Sequence, residues 1–410
     1  MCLAFRGSID FNGLWQDPRG LTGSELAAVR LSEWFATLGH ETTLYTKSPN
    51  VGTNYGGVAI ADIDGAIADC DVAVAINEPD FLRKAPAGSF RVAMMFLNDV
   101  SFTRAGFYNH VDLFCSPSAP HLEQIMTNPA WRRVEVTPDF PNGREQYTPD
   151  PAKWCVVPLG CDPERFELPE AKRSRVVSGR CENCEEEYEH NPGEPPEFCS
   201  VCSDSPKIPG RVVHCSSPDR GLHWLLQEWP AIKRAVPHAT LHVFYRLEPW
   251  LRGFDQTPFF PPIEPLRARA NYVEECLRRF REMGGLGVTL RDSVSRETIE
   301  REMAQAECLA FPCDTTTWSE GFSCATLEGC AARACPVITD CDALAGVYGG
   351  ALPVVYRVGD WQARFRDEVI RALTDSVYRE EVNAKAHAFA LEHTWKRTAE
   401  RILEEIGKRR

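Results

Sequence analysis

The run Ser319-Glu-Gly-Phe-Ser-Cys-Ala-Thr-Leu-Glu-Gly-Cys-Ala-Ala-Arg-Ala-Cys-Pro-Val-Ile-Thr339 constrains the fold more than any other stretch of the chain. Ser323 is a good N-cap and predicts a helix running through Glu328 to about Arg333. Ala325, Ala331, Ala332, Cys324 and Cys330 are small, so that helix can lie close against a sheet. Pro336 ends it, and Val337-Ile338-Thr339 reads as a short buried parallel strand. A helix N-terminus carries about half a positive charge and free N–H groups, which suits an anion, here a phosphate. Glu320 precedes the helix and Glu328 lies within it, so one carboxylate can reach a ligand in front while the other lies along the side.

This Glu-x7-Glu run, followed by an Ala-rich helix and a Pro-Val-Ile strand, resembles the signature of retaining GT-B glycosyltransferases of the family-four type. The resemblance implies that Glu320 contacts hydroxyls of the donor sugar at the catalytic centre and that Glu328 binds the nucleotide ribose. It also implies that Gly321 and the backbone of Phe322, Ser323 and Cys324 hold the diphosphate. The expected fold is α/β: two Rossmann-like, doubly wound domains facing a cleft.

Length supports two domains, since 410 residues with 43% hydrophobic content exceed one ordinary core. The charge, 45 minus 58 or −13, argues against broad electrostatic attachment to nucleic acid or an anionic membrane. No run of about 18 apolar residues occurs and the first residues are no signal peptide, so a cytoplasmic protein is expected. Thirteen of the 17 cysteines lie scattered, many within apolar runs, and read as reduced core thiols.

Residues 1–160 alternate between helical and strand-like patterns. Leu26, Ala27, Leu31, Trp34, Phe35 and Leu38 recur at helical spacing, with Gly39 as a stop, and Thr42–Thr46, Asp71–Asn77, Arg91–Leu97 and Asp112–Cys115 read as strands. Thr22 and Glu25 form a potential capping box behind Gly20 and Gly23. This loop is similar to the glycine-rich loop of the same enzymes, which faces the donor phosphates and acceptor and so places Gly23 there. Asn98 and Asp99 follow a strand at its carboxyl end, where open sheets place ligand-binding groups. The family often has His-Asp at that point; here Asn98 removes the imidazole and leaves a hydrogen-bonding role beside Asp99. Val156-Val-Pro-Leu-Gly-Cys-Asp-Pro-Glu-Arg-Phe166 resembles the family's interdomain passage, with Leu159 and Cys161 as departures. It divides the chain into residues 1–160, completed by a terminal helix at about 390–410, and residues 161–389.

Within the second part, Cys181-Glu-Asn-Cys184 and Cys199-Ser-Val-Cys202 are two Cys-x2-Cys pairs in a polar tract that cannot make a core by itself. Four thiolates at this spacing suit a tetrahedral structural Zn²⁺ and leave no open position for catalysis. The insert, residues 178–207, precedes a strand and so leaves from the amino end of its sheet. It is expected to lie away from the cleft and to serve docking or homo-oligomer formation.

Arg211–Cys215 reads as the first strand of the second domain, followed by Ser216-Ser-Pro-Asp-Arg-Gly-Leu222 and a helix. This loop resembles the family's Arg and Lys clamp on the donor diphosphate. Arg220 takes the Lys position, while Cys215 or Ser216 stands where the Arg is expected. The resemblance places the base pocket at the end of strand Gly287–Arg291, making Leu290 and Arg291 donor-binding candidates. Trp250–Ala270, rich in Pro and aromatics, reads as a surface loop bordering the cleft. The implied activity is retaining transfer of a hexose from a UDP- or GDP-sugar to an acceptor the sequence does not name, without a catalytic metal. A different class of protein stays open: a zinc-ribbon binding module, with nucleic acid as its partner, on a non-catalytic scaffold, or a transferase acting on nucleic acid. Glu182, Glu185, Glu186 and Glu187 around the cysteines count against nucleic acid.

Overall fold

The computed structural model describes residues 1–96, 106–128, 133–134, 145–167, 176–177, 180–181, 207–246, 264–282, 284–291, 293–315 and 318–410. Two sheets organise it. The first contains β1 (Cys2–Ser8), β2 (Thr42–Lys47), β3 (Asn54–Tyr55), β4 (Val58–Asp62), β5 (Val72–Ile76), β6 (Phe90–Met94), β7 (Leu113–Ser116) and, beyond a two-stranded ribbon of β8 (Arg133–Val134) and β9 (Glu145–Gln146), β10 (Trp154–Val156). Its spatial order is β10-β7-β6-β5-β1-β2-β4-β3, with every neighbouring pair parallel except the β3–β4 hairpin. The second ribbon pairs β11 (Val176–Val177) with β12 (Arg180–Cys181). The second large sheet is β13 (Arg211–His214), β14 (Thr240–Val243), β15 (Val288–Leu290), β16 (Cys308–Phe311), β17 (Pro336–Thr339) and β18 (Val354–Val355), ordered β15-β14-β13-β16-β17-β18 and parallel throughout. Central strands such as β5 and β16 are buried at every position, the signature of a parallel sheet covered by helices on both faces.

Helix α1 (Gly23–Thr37) starts at the capping box read from the sequence: Thr22 Oγ1 accepts from Glu25 N and the Glu25 carboxylate accepts from Thr22 N at 2.7 Å. Gly39, just past its end, adopts φ 92°. The remaining helices are α2 (Ala119–Thr127), α3 (Leu222–Ala235), α4 (Glu264–Glu282), α5 (Arg296–Gln305), α6 (Cys324–Ala331), α7 (Leu344–Tyr348), α8 (Trp361–Thr374), α9 (Ser376–Glu392) and α10 (Trp395–Gly407). Two expectations change here. The central strand β1 lies in a stretch in which no strand was singled out, because only its first three residues are apolar and buried on both faces. The loop read as reaching Ala270 stops earlier: α4 begins at Glu264, and residues 247–263 lie outside the described ones.

The last helix, α10, packs against α1. Gly160 allows this closure, since a Cβ there would sit 2.2 Å from Trp395 N and 2.4 Å from Thr394 C. Cys161 N donates to His393 O (3.0 Å), Trp395 N donates to Cys161 O (3.2 Å), and Thr398 Oγ1 donates to Pro158 O (2.9 Å). The thirteen cysteines with described side chains are free thiols, most of them buried, as a reduced core requires. Among the described residues no helix is long and apolar enough to cross a membrane.

Candidate active site

Strand order reverses at β1, which pairs with β2 on one side and β5 on the other, and again at β13, between β14 and β16. Loops leaving the carboxyl ends of such strands diverge and open a crevice. Here the two crevices face one another. The loop after β1, the loop after β13, residues 293–296 before and at the start of α5, and residues 319–325 leading into α6 enclose a cleft of about 720 Å³. Gly23 of one lobe lies opposite α6 of the other, its notional Cβ 3.8 Å from Cys324 Sγ. That size suits a small organic ligand.

The predicted Ser319–Thr339 motif builds the floor. Ser323 caps α6 through Oγ, which accepts from Thr326 N at 3.3 Å, and its carbonyl accepts from the buried Tyr348 hydroxyl at 2.8 Å. Its backbone is left-handed, φ 72° and ψ 84°, a conformation that a non-glycine residue holds only when its surroundings enforce it. Gly329 brings the helix onto β16, where a Cβ would come within 2.6 Å of Leu309 Cδ2.

Glu320, 5% exposed, lines the cleft and accepts from Arg220 Nη1 at 2.6 Å, while Arg220 Nη2 donates to Ser319 O at 3.1 Å. The backbone N–H groups of Phe322 and Ser323 also favour its charged form. Two residues expected to act on different parts of a donor therefore hold each other. Burial pushes the Glu320 pKa above the carboxylate range; Arg220 opposes this and Asp342 reinforces it. The Glu320 charge holds the Arg220 guanidinium firmly protonated. Gly221 lets Arg220 reach this position, since it adopts φ 93° and a Cβ would fall 1.8 Å from Pro312 O.

Glu328, 4% exposed, also lines the cleft and is gripped by Arg296, whose Nη1 donates to Oε2 at 3.2 Å and whose Nη2 donates to Oε1. Burial again raises the carboxyl pKa, with Arg296 opposing. Cys324 lines the same floor, but burial, followed by the Glu328 charge, pushes its thiol pKa far up and leaves it protonated, so it offers no nucleophile near neutral pH.

Gly23, Arg220, Glu320, Gly321, Phe322, Ser323, Cys324 and Glu328 thus meet in one cleft. Leu290 and Arg291 do not join them. Because β15 is the edge strand, Leu290 is 44% exposed and Arg291 turns to Glu302, with Nη2 donating to Oε1 at 3.2 Å; Ser293, Val294 and Arg296, slightly later in the chain, line the cleft instead. Asn98 and Asp99 lie outside the described residues. So do Cys184, Cys199 and Cys202, while of Cys181 only the backbone in β12 is described. Among the described residues no group of three or more His, Cys, Asp or Glu side chains is placed to hold a metal.

Sequence reasoning missed several neighbours of the site. Asp342, itself at φ 53°, accepts through Oδ2 from Ser319 N (2.7 Å), Glu320 N (2.9 Å) and Thr315 Oγ1 (3.0 Å), fixing the loop that carries Glu320. Its place just past the carboxyl end of β17 was the available signal. Ser118, the N-cap of α2 in the other lobe, donates from Oγ to Gly321 O at 2.7 Å. Arg246 lines the cleft with Nε donating to Ser293 Oγ at 2.8 Å.

Two facing Rossmann-like lobes with the ligand crevice between them are the GT-B arrangement, and solved structures agree. No protein-family model matches the chain, and no curated protein matches it significantly. Over 100% of its length and 98% of the other chain, it is similar to sucrose-phosphate synthase from Thermosynechococcus elongatus, with a TM-score of 0.61 at 10% identity. A glycosyltransferase involved in avilamycin A biosynthesis aligns over 99% and 96% of the two chains with a TM-score of 0.56 at 16% identity. The Anabaena protein HepE, in complex with UDP and glucose, aligns over 100% of both chains with a TM-score of 0.56 at 12% identity. At these identities the likeness is one of fold, and the fold is GT-B.

Proposed function

We propose that the chain is a retaining glycosyltransferase that moves a sugar from a nucleoside diphosphate donor, UDP-linked in the first instance, to an acceptor. One observation carries the reading: Glu320, Glu328, Arg220 and the front of α6 converge on a cleft that the topology alone marks as the ligand site. The UDP and glucose held by HepE and the UDP-2-fluoro glucose held by an E. coli structure of the same fold support a UDP-sugar. In this reading the nucleoside ribose meets Glu328, the diphosphate lies against Arg220 and the N–H groups before α6, and Glu320 orients the sugar. Donors fixed in a partly dry cleft stabilise the charge developing on the departing diphosphate by several kcal/mol.

The retaining route implied by the resemblance is a front-face one, in which the leaving phosphate helps take the acceptor proton. The pairing of Glu320 with Arg220 supports a positioning role for the carboxylate. Asn98 and Asp99 complete the proposed catalytic set from the N-terminal lobe. We divide the chain into residues 1–160 with 390–410, and residues 161–389. Cys181, Cys184, Cys199 and Cys202 are proposed to hold a structural zinc serving docking or self-association, which metal analysis of purified protein tests. For the activity, the experiment is hydrolysis of UDP- and GDP-sugars. Release of nucleoside diphosphate that disappears in a folded Glu320→Ala variant supports the assignment; no release and no nucleotide binding refutes it.

A further inference from the structure

The partner that grips Glu328 is itself gripped. Arg296 Nε donates to Glu300 Oε1 at 2.9 Å, and the same oxygen accepts from Arg165 Nε at 2.8 Å. Arg165 belongs to a single 3₁₀ turn (Pro163–Phe166) in the segment joining the two sheets, and its guanidinium carbon lies 3.9 Å from the ring centre of Trp15. Trp15 sits on the loop after β1, in the opposite lobe. There its indole N–H donates to Tyr55 Oη (2.9 Å) and its carbonyl accepts from Glu297 N (3.0 Å) at the first turn of α5. Two cations and two anions therefore alternate without a break from the floor of the cleft to an aromatic face of the other lobe.

Exposure along this row is graded: the side chains of Glu328, Arg296 and Glu300 are 6 to 7% exposed and that of Arg165 is 26% exposed. Buried ion pairs cost desolvation and are weak devices for stability alone, so a buried row that ends on a cleft carboxylate calls for another explanation. Both Glu328 oxygens are oriented by one planar fork, the geometry that fixes a carboxylate in direction as well as in charge.

We infer that Arg296 is the positioning residue for Glu328, and that Glu300, Arg165 and Trp15 extend its support into the opposite lobe, making nucleotide binding depend on this interlobe contact. The inference rests on the proposed role of Glu328 toward the donor nucleoside. Arg296 variants strand a buried carboxylate and risk unfolding, so the test is made at the exposed end of the row.

Arg165→Gln is compared with wild type by calorimetric titration with UDP and GDP, by the KM and kcat of donor-sugar hydrolysis, and by thermal unfolding. Expected is a nucleotide Kd and donor KM raised about tenfold, an ordinary coupling between linked sites, with kcat within about twofold and the fold intact. Arg165→Lys, which keeps the charge and loses the planar fork, recovers part of the loss. Because the row acts through Glu328, Arg165→Gln adds nothing further in a Glu328→Gln background. An unchanged Kd and KM in Arg165→Gln, or the full loss again in the Glu328→Gln background, overturns the inference while leaving the proposed activity standing. Wild type that binds neither nucleotide overturns both.

Discussion

Breaking the Arg220–Glu320 pair one side at a time, then together, separates what the pair does for the fold from what it does for chemistry. Arg220→Gln leaves a carboxylate that is only 7% exposed without its cation, although the Phe322 and Ser323 N–H groups still face it. Stranding a buried charge costs about 3–5 kcal/mol, and the remaining donors bring this to about 2–4 kcal/mol. Glu320→Gln strands the arginine instead. With 28% of that side chain open to water, the cost falls to about 1–2 kcal/mol. Replacing both partners removes both charges, and a pair exchanged for neutral groups of the same shape is nearly neutral, so the double variant should lie within about 1 kcal/mol of wild type.

Urea unfolding of the four proteins yields the coupling as the departure from additivity, about 2–6 kcal/mol on these figures and so at or beyond the upper end for groups in contact. Turnover behaves differently. Each single variant removes a group proposed to touch the donor and should lose about 10²–10³ in donor hydrolysis, and the double should stay equally inactive while its stability returns. Additive destabilisation would show that the 2.6 Å contact carries little energy. Recovery of turnover in the double variant would show that neither group meets the donor.

Other perturbations follow from the same geometry. Burial holds the Glu320 and Glu328 pKa values above the usual 4.5, so donor kcat/KM should fall on acidification with an inflection above that value, and a limb at or below it would contradict the buried setting. The sign for stability is opposite: the unfolded carboxylates ionise first, so the contribution of these two groups is full below 4.5 and is lost as pH rises through their folded values. Gly160→Ala drives a Cβ into backbone atoms at 2.2 and 2.4 Å and should cost about 1–3 kcal/mol, read as a lower urea midpoint; an unchanged midpoint would mean that the α10 junction yields freely. Arg246→Gln should raise donor KM about tenfold, the worth of one charge-assisted hydrogen bond, with stability nearly unchanged, whereas an unchanged KM would mean that Arg246 does not meet the donor.

What the sequence disclosed about the site was local. Ser323 as a cap, small residues along one helix and Pro336 near a strand all act within a turn or two; the cap and the small residues appear where they were read, while the helix ends at Ala331 and Pro336 is the first residue of β17. Arg220 was found because its loop, between a strand and a helix, resembles the family's diphosphate clamp. The partners were hidden for the converse reason: Arg220 meets Glu320 across 100 positions, Arg296 meets Glu328 across 32, and Asp342 meets the Glu320 amide across 22. Periodicity carries no trace of such pairings, which exist only once β13, β16 and β17 lie side by side. The exposure of Leu290 was hidden similarly, because strand position in a sheet is a tertiary fact: an edge strand reads like an inner one until its neighbours are known.

One departure from the resemblance removes a positive charge, and the fold shows how the cleft manages it. The expected basic residue near Cys215 and Ser216 is missing, yet Arg220, Arg246 and Arg296 all line the C-terminal wall. Two of these face Glu320 and Glu328, so within the described wall the positive charge in excess comes to about that of Arg246, together with the N–H groups before α6. An incoming diphosphate would compete with Glu320 for Arg220, since the carboxylate already occupies a donor that an anion would use. A ligand that supplies sugar hydroxyls to the displaced carboxylate satisfies both sides of that exchange, whereas a bare phosphate satisfies only one. On the proposed reading, the self-paired site therefore favours the intact donor over its hydrolysed fragments, a preference that would follow from the Arg220–Glu320 contact.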